Sequence, residues 1–223
     1  MTKELLIKGL VKFLSGLLLI GAMLFLPAGS LDYPGGWLFI GLLFVPMLIL
    51  GIVLAVKDPA LLEKRLNAKE KQSEQKGVLA VSAAMFIGGF AMAGLSFRKG
   101  WLMMPKAAAA VGAVIFLLSY LMYAEVMREN SYLSRTVEVQ EGQKVIDTGL
   151  YGVVRHPMYS ATVLMFLSIP LILGSVIALV IFLVYPFVLV MRIKNEEQVL
   201  EKGLAGYSEY KKKVRYRLIP FIW

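Results

Sequence analysis

Two short polar stretches hold most of the residues that can do chemistry. The first is Gly149-Leu150-Tyr151-Gly152-Val153-Val154-Arg155-His156-Pro157-Met158-Tyr159, with the chain's single histidine between an arginine and a proline. The second is Arg192-Ile193-Lys194-Asn195-Glu196-Glu197, at the far end of an uncharged run. Proline suits the first turn of a helix and keeps the residue before it out of helical geometry. His156 is therefore expected just ahead of a helix that starts near Pro157, with Tyr159 in its first turn. Arg192 and Glu196 are four apart and share a helix face. Ser160 lies close to His156, but no third residue stands out to orient a nucleophile–base pair. No G-x-S-x-G, phosphate loop or dinucleotide fingerprint occurs. With no cysteine and one histidine, a thiol nucleophile, a disulfide framework and a metal-ligand set are all excluded or disfavoured.

The two stretches can hold a molecule that is cationic at one point and anionic at another. Carboxylates can take an ammonium or ribose hydroxyls, aromatic faces a cation or an adenine, and arginine an anion. A sulfonium cofactor suits that set of groups.

The elements that must position them are apolar. Of 223 residues, 58% are hydrophobic, in blocks of the length that spans about 30 Å of hydrocarbon. The first block, about Leu5 to Leu26, carries Lys8 and Lys12 in its first turns, where they can snorkel, and reads as a retained helix. The second runs from about Trp37 to Val56, after a turn-rich link over Pro27 to Gly36. A charged segment, Lys57 to Gly77, reads as a solvated helix or loop. The third (about Val78 to Phe97) and fourth (about Pro105 to Met127) are rich in Gly and Ala, which predicts close packing of one against the other. The polar loop Arg128 to Arg155 has extended character around Thr136-Val137-Glu138-Val139 and Lys144-Val145-Ile146.

Met158 to Met191 is 34 residues without a charge. One helix of that length would be about 50 Å long, too long for one crossing. Gly174-Ser175 breaks it, and Pro170 and Pro186 mark kinks, so a compact helical hairpin is expected. The fold class is then all-α and integral to the membrane, with about six membrane-embedded helices. Residues 1–127 form four transmembrane helices and residues 128–223 the functional core, as one integrated domain. This topology places 21 of the 24 Lys and Arg on one side, which the positive-inside rule makes cytosolic, with both termini. The membrane is the plasma membrane if the source is prokaryotic. The net charge of +9 points to anionic lipid and not to nucleic acid. In the tail, Val199, Leu200, Gly203, Leu204, Tyr207 and Tyr210 fall on one face, which predicts a cytosolic amphipathic helix lying on the bilayer or on the other cytosolic elements. Lys211, Lys212, Lys213, Arg215 and Arg217 are expected to meet headgroups.

Gly149-Leu150-Tyr151, Arg155-His156-Pro157-Met158-Tyr159, Arg192-x-x-x-Glu196-Glu197, Tyr207-x-x-Tyr210 and Ile219-Pro220-Phe221 together resemble the isoprenylcysteine carboxyl methyltransferase family. The wider group includes phospholipid methyltransferases. The match covers about Thr136 to Trp223. It implies an integral-membrane methyltransferase with S-adenosyl-L-methionine at its cytosolic surface and a lipophilic or lipidated substrate entering from the bilayer. By position it implies cofactor contacts at Gln143, Lys144, Val145, Ile146, Tyr151, His156, Pro157, Met158, Tyr159 and Glu196. Arg192 would face the substrate's carboxylate. Gln143 stands where eukaryotic members often have histidine, and Ser160-Ala161 replaces a small-Gly pair.

An ionised carboxylate acceptor needs orientation more than a base, and Arg192 could supply it. An amine or thiol acceptor would have to lose a proton, with His156 or Glu197 as candidate bases. Some sterol reductases that use NADPH share an Arg-His-Pro-x-Tyr segment. They usually place Asn before the Tyr and an acidic residue soon after, whereas here Met158 and Ser160-Ala161-Thr162 stand there. A lipid-binding structural or transport protein is the non-enzyme alternative, but beyond the first segment the spans hold almost no ionisable residue.

Overall fold

The computed structural model describes residues 3–66, 73–133 and 137–223. Among them are nine α-helices and one short 3-10 turn: α1 Lys3–Ala28, α2 Pro34–Lys57, α3 Pro59–Leu66, α4 Ser73–Lys99, α5 Lys106–Glu129, the turn Gly149–Gly152, α6 Pro157–Leu173, α7 Val176–Phe182, α8 Tyr185–Gly203 and α9 Tyr207–Lys213. Prolines open α2, α3 and α6, where the missing N–H costs nothing. Helices α1, α2, α4, α5 and the α7–α8 unit are each long and apolar enough to cross a membrane. The α6 helix is apolar but shorter. Large side chains such as Leu18, Val56, Leu121 and Phe187 point outward. Exposed apolar surface on this scale fits a lipid-facing belt. The fold is that of a multi-pass membrane protein, with six apolar helical segments as expected.

The hairpin is present. Gly174 ends α6 in the left-handed conformation (φ 71°), which a residue with a Cβ enters at a cost. Ser175 then caps α7, its hydroxyl accepting from the Ala178 N–H. With 17 residues, α6 is only about 25 Å long. The loop joining α4 to α5 meets its tip: Met104 N–H donates to the Gly174 carbonyl (2.9 Å) and Val176 N–H to that of Leu102 (3.1 Å). Tyr33 adds a bond from its hydroxyl to the Leu173 carbonyl (2.7 Å), and Ser175 donates to the Ser96 hydroxyl (2.9 Å). The helix is interrupted by a turn at Leu183 and Val184, both still with right-handed helical backbone angles, just before Pro186, so α7 and α8 form one continuous arm.

The small residues of α4 and α5 serve other neighbours than expected. They do not pack α4 on α5. Helix α4 lies on α1 and α7, and α5 lies on α6. A Cβ at Gly89 would meet the Phe182 ring, one at Gly94 the Leu24 carbonyl, and one at Gly112 the Leu171 Cβ at 2.8 Å and the Ile172 nitrogen at 3.0 Å. The core between these helices is aromatic, with Phe39, Phe90, Phe116 and Phe182 buried together. Gly112→Ala is expected to force α5 off α6 and cost about 1–3 kcal/mol, the usual range for overpacking. Thermal unfolding in detergent checks it: an unchanged midpoint would show that the two helices can part freely.

Two expectations need correction. The tail is not one amphipathic helix. The chain breaks after α8, and Gly206 (φ 83°) redirects it into α9. Leu204, Tyr207, Tyr210 and Val214 bury one another against Val139, Val145 and Leu200. That apolar face is covered by the 137–147 loop and not by bilayer. The tail's cations are also partly engaged within the protein: Lys211 with Glu201 (2.5 Å), Lys213 with Asp147 (2.6 Å) and Arg217 with Glu197 (2.9 Å). Near the N-terminus, Lys12 reaches the Leu66 carbonyl at the end of α3. The extended stretches at 137–139 and 144–146 are irregular, without a strand partner among the described residues; Thr136 lies outside those residues.

Candidate functional site

The turn Gly149–Gly152 carries the chain from the 137–148 loop to the start of α6. His156 has the non-helical backbone expected of it (φ −125°, ψ 60°), and Pro157 is the first residue of α6. The tail passes directly beneath. Arg155 N–H donates to the Tyr216 carbonyl and His156 N–H to the Arg217 carbonyl, both at 2.9 Å. The Ser160 hydroxyl donates to Leu218 (2.6 Å). Tyr210 ties α9 to the turn through its hydroxyl and the Tyr151 carbonyl (2.8 Å). Asn130 at the end of α5 donates to the Tyr151 hydroxyl (2.9 Å). Burial pushes the Tyr151 phenol up to about 12, so it stays protonated at neutral pH.

The two adjacent glutamates of α8 do different work. Glu197 is buried and faces the tail. Its Oε1 accepts from Arg155 Nε (2.8 Å) and lies 3.3 Å from His156 Nε2, while Oε2 accepts from Arg217 Nε (2.9 Å). Arg155 is completed by bonds to the Val214 and Arg215 carbonyls, each 2.8 Å. Loop, helix and tail are thus tied at one carboxylate. Glu196, about 100° further round the helix, accepts the Tyr159 hydroxyl at 2.5 Å. Arg192 Nε donates to that same hydroxyl (2.8 Å), and its guanidinium lies 5.8 Å from the Tyr159 ring centroid. The result is a relay from Arg192 through Tyr159 to Glu196. The His156 ring stacks on Tyr159 with centroids 5.7 Å apart, its Nδ1 3.9 Å from Glu196 Oε1.

Gln143, Lys144, Val145, Ile146, Tyr151, His156, Pro157, Met158, Tyr159, Arg192 and Glu196 all line one cleft. Every residue singled out from the sequence is there except Glu197, which lies behind its wall. The Glu197 carboxylate faces the side chains of Arg155, His156 and Arg217 and does not line the cleft. Gln143 contributes less by its side chain than by its place in the loop, since its amide oxygen accepts from the Gln140 N–H (2.8 Å).

Four features were not anticipated. Asn130 and Tyr132 join the lining of the cleft. Arg155 and Arg217 are the anchors of Glu197, which only the return of the tail reveals. Tyr207 also faces the cleft, and its buried hydroxyl has no hydrogen-bond partner among the described residues. Burial raises the pKa of both Tyr207 and Tyr210, leaving each a donor. Finally, a second cavity opens between α4, α6 and α8. It is lined mainly by Val78, Leu79, Phe86, Phe166, Val188 and Leu189, and it shares Met158, Tyr159 and Arg192 with the cleft.

Residues 107–206 match the family model of the phospholipid methyltransferases. A solved structure of the eukaryotic intramembrane Ras methyltransferase, isoprenylcysteine carboxyl methyltransferase, shares the fold with a TM-score of 0.57. It is 19% identical, and the match covers 94% of this chain and 74% of that one. A delta(14)-sterol reductase of Mus musculus is 33% identical over 91 residues. That match takes in 40% of this chain, and the chain spans only 22% of that relative's length. The resemblance to membrane methyltransferases is borne out: in the family model for the C-terminal core, and in fold along nearly the whole chain. The reductase match accords only with the alternative.

Proposed function

Starting from a chain whose core matches the phospholipid methyltransferases, we propose that it transfers the methyl group of S-adenosylmethionine to a lipophilic acceptor drawn from the bilayer. The acceptor group in this reading is a carboxylate, as in an isoprenylcysteine-like molecule. The observation that carries it is the shared wall. A polar cleft and an apolar cavity meet at Met158, Tyr159 and Arg192, so a polar cofactor and a greasy acceptor can be brought together from opposite sides.

The cleft suits the cofactor. S-adenosylmethionine supplies a methyl group on a cationic sulfur, along with an ammonium, a carboxylate and a ribose diol. Glu196 can accept from the ammonium or the diol. The orphaned Tyr207 hydroxyl can donate to an oxygen. The 143–146 segment and Tyr151 line the cleft from the loop side. His156 is a positioning group, stacked on Tyr159 and set between two carboxylates. A carboxylate acceptor arrives ionised, so orientation by Arg192 suffices and no base is asked of the protein. An amine acceptor would need a base, a place His156 could fill because it lines the cleft, whereas Glu197 does not line it. We read residues 1–127 and 128–223 as one integrated domain, with the cleft and both termini on the cytosolic side where the basic loops gather.

The full chain in neutral detergent is expected to bind S-adenosylmethionine in calorimetry and to label a native lipid extract from a labelled methyl donor. Glu196→Gln is expected to weaken cofactor binding about tenfold, or about 1.4 kcal/mol, while leaving the fold intact. Folded wild-type protein that binds no S-adenosylmethionine would overturn the reading.

A further inference from the structure

The apolar cavity is built in three layers. Helix α4, which lies outside the segment matching the methyltransferase family, lines it with Val78, Ser82 and Phe86, each about one turn beyond the last. Helix α6 lines it with Met158, Thr162 and Phe166 at the same spacing. Helix α8 runs the other way and supplies Arg192, Val188 and Tyr185. The residues shared with the cofactor cleft, Met158, Tyr159 and Arg192, lie at one end. Aromatic rings lie at the other: Phe86 meets Phe166 edge-on with centroids 4.8 Å apart, and Phe166 meets Tyr185 at 4.6 Å.

The aromatic end is a firm floor. Phe86 is backed by Phe182 (5.4 Å) and Phe90 (5.8 Å), both buried. Phe182 is itself pressed on Gly89, where even a Cβ would meet its ring. Between the two ends the wall's hydroxyls are turned onto the protein. Ser82 donates to the Val78 carbonyl (2.8 Å), Tyr185 to the Thr162 hydroxyl (3.2 Å), and Thr162 to the Tyr159 carbonyl (3.0 Å). The middle of the cavity therefore suits hydrocarbon. From Val78 to Phe86, and from Met158 to Phe166, the depth is about 12 Å at 1.5 Å per residue. A staggered chain advances about 1.25 Å per bond and covers that depth in about nine or ten carbons. The cavity volume is about 240 Å³. That is below the roughly 300–1,000 Å³ of pockets for drug-sized ligands, so one chain fits and two side by side do not.

Resting on the methyltransferase reading above, we propose that the acceptor runs a single apolar chain down this cavity, and that Phe86 is the specificity residue that sets how much of the chain is held. The accepting group sits at the end formed by Met158, Tyr159 and Arg192, against the cofactor, and the chain points to the floor of rings. A chain much longer than about ten carbons meets Phe86 and has to bend away. Two chains cannot enter together, which sets this acceptor apart from a diacyl lipid. The N-terminal half then does more than support the core: α4 measures the chain while the core handles the head.

The test uses the full chain in neutral detergent, with and without S-adenosylhomocysteine. Three probes with one head and different tails are titrated by calorimetry: N-acetyl-S-butylcysteine, N-acetyl-S-octylcysteine and N-acetyl-S-dodecylcysteine. Each affinity is read as the ratio of variant to wild type in the same detergent, so that partition into micelles cancels. Phe86→Ala opens the floor and is expected to bind the dodecyl probe about ten times more tightly than wild type does, and the butyl probe equally. Should Phe86→Ala not fold, Ser82→Leu carries the test. It fills the second layer, and is expected to lose about tenfold toward the octyl and dodecyl probes and nothing toward butyl, which stops short of that layer. A change shared equally by all three lengths, or none at any length, overturns the proposal; the chain would then leave past the half-exposed Leu79 and never reach the floor. Wild-type protein that binds none of the probes overturns it as well. Wild-type protein that does not bind S-adenosylhomocysteine defeats the methyltransferase reading, a separate outcome, while the series without it still decides the role of Phe86.

Discussion

Glu197→Ala is expected to destabilise the protein by about 3–5 kcal/mol, the range for breaking a buried ion pair from one side. The Glu197 and Arg155 side chains are each only 4% exposed, and their contact is 2.8 Å. Removing the carboxylate strands the Arg155 Nε, releases Arg217, and takes from His156 its Nε2 neighbour. The tail would still be tied by carbonyl bonds to Arg155 and by backbone bonds at 155–156. The chain should therefore fold but melt earlier, by roughly 10 °C on the usual scale for a chain of this size. Glu197→Gln keeps one acceptor and should lose less. Thermal unfolding in detergent decides: an alanine variant as stable as the wild type would mean that the carboxylate anchors nothing. The glutamine variant should also retain cofactor affinity, which separates Glu197 from its neighbour in the cleft.

That separation marks the limit of what the sequence disclosed. Local constraints were readable. Proline fixes the backbone on either side of itself, so His156 ahead of α6 followed from Pro157. Gly174-Ser175 breaks a run too long for one crossing, so the hairpin followed too. The i, i+4 spacing correctly put Arg192 and Glu196 on one face. Long-range choices were not readable. Two successive glutamates look equivalent until Arg217 returns beneath one of them and Tyr159 meets the other. Gly89, Gly94 and Gly112 announce close approach but not to whom; the answer was Phe182, α1 and α6. The apolar face at Leu204, Tyr207 and Tyr210 reads equally well as a bilayer face or as the floor of a loop. Its burial against Val139 and Val145 depends on where the 137–147 loop lands.

Arg192→Ala is expected to lower methyl transfer into a native lipid extract by at least a hundredfold, about 3 kcal/mol, while changing cofactor affinity less than threefold. Both halves of the expectation come from the wall that Arg192 shares between the cleft and the cavity. Its Nε bond to the Tyr159 hydroxyl fixes the guanidinium, so an acceptor carboxylate meets an oriented partner. Alanine removes that partner and leaves the acceptor to wander. The bond from Tyr159 to Glu196 does not pass through Arg192 and should persist, which keeps the cofactor side intact. Lysine keeps the charge but not the planar fork, so Arg192→Lys should recover only part of the loss. Calorimetry beside labelled-methyl transfer separates the two roles. If cofactor affinity falls as steeply as transfer, Arg192 belongs to the cofactor cleft.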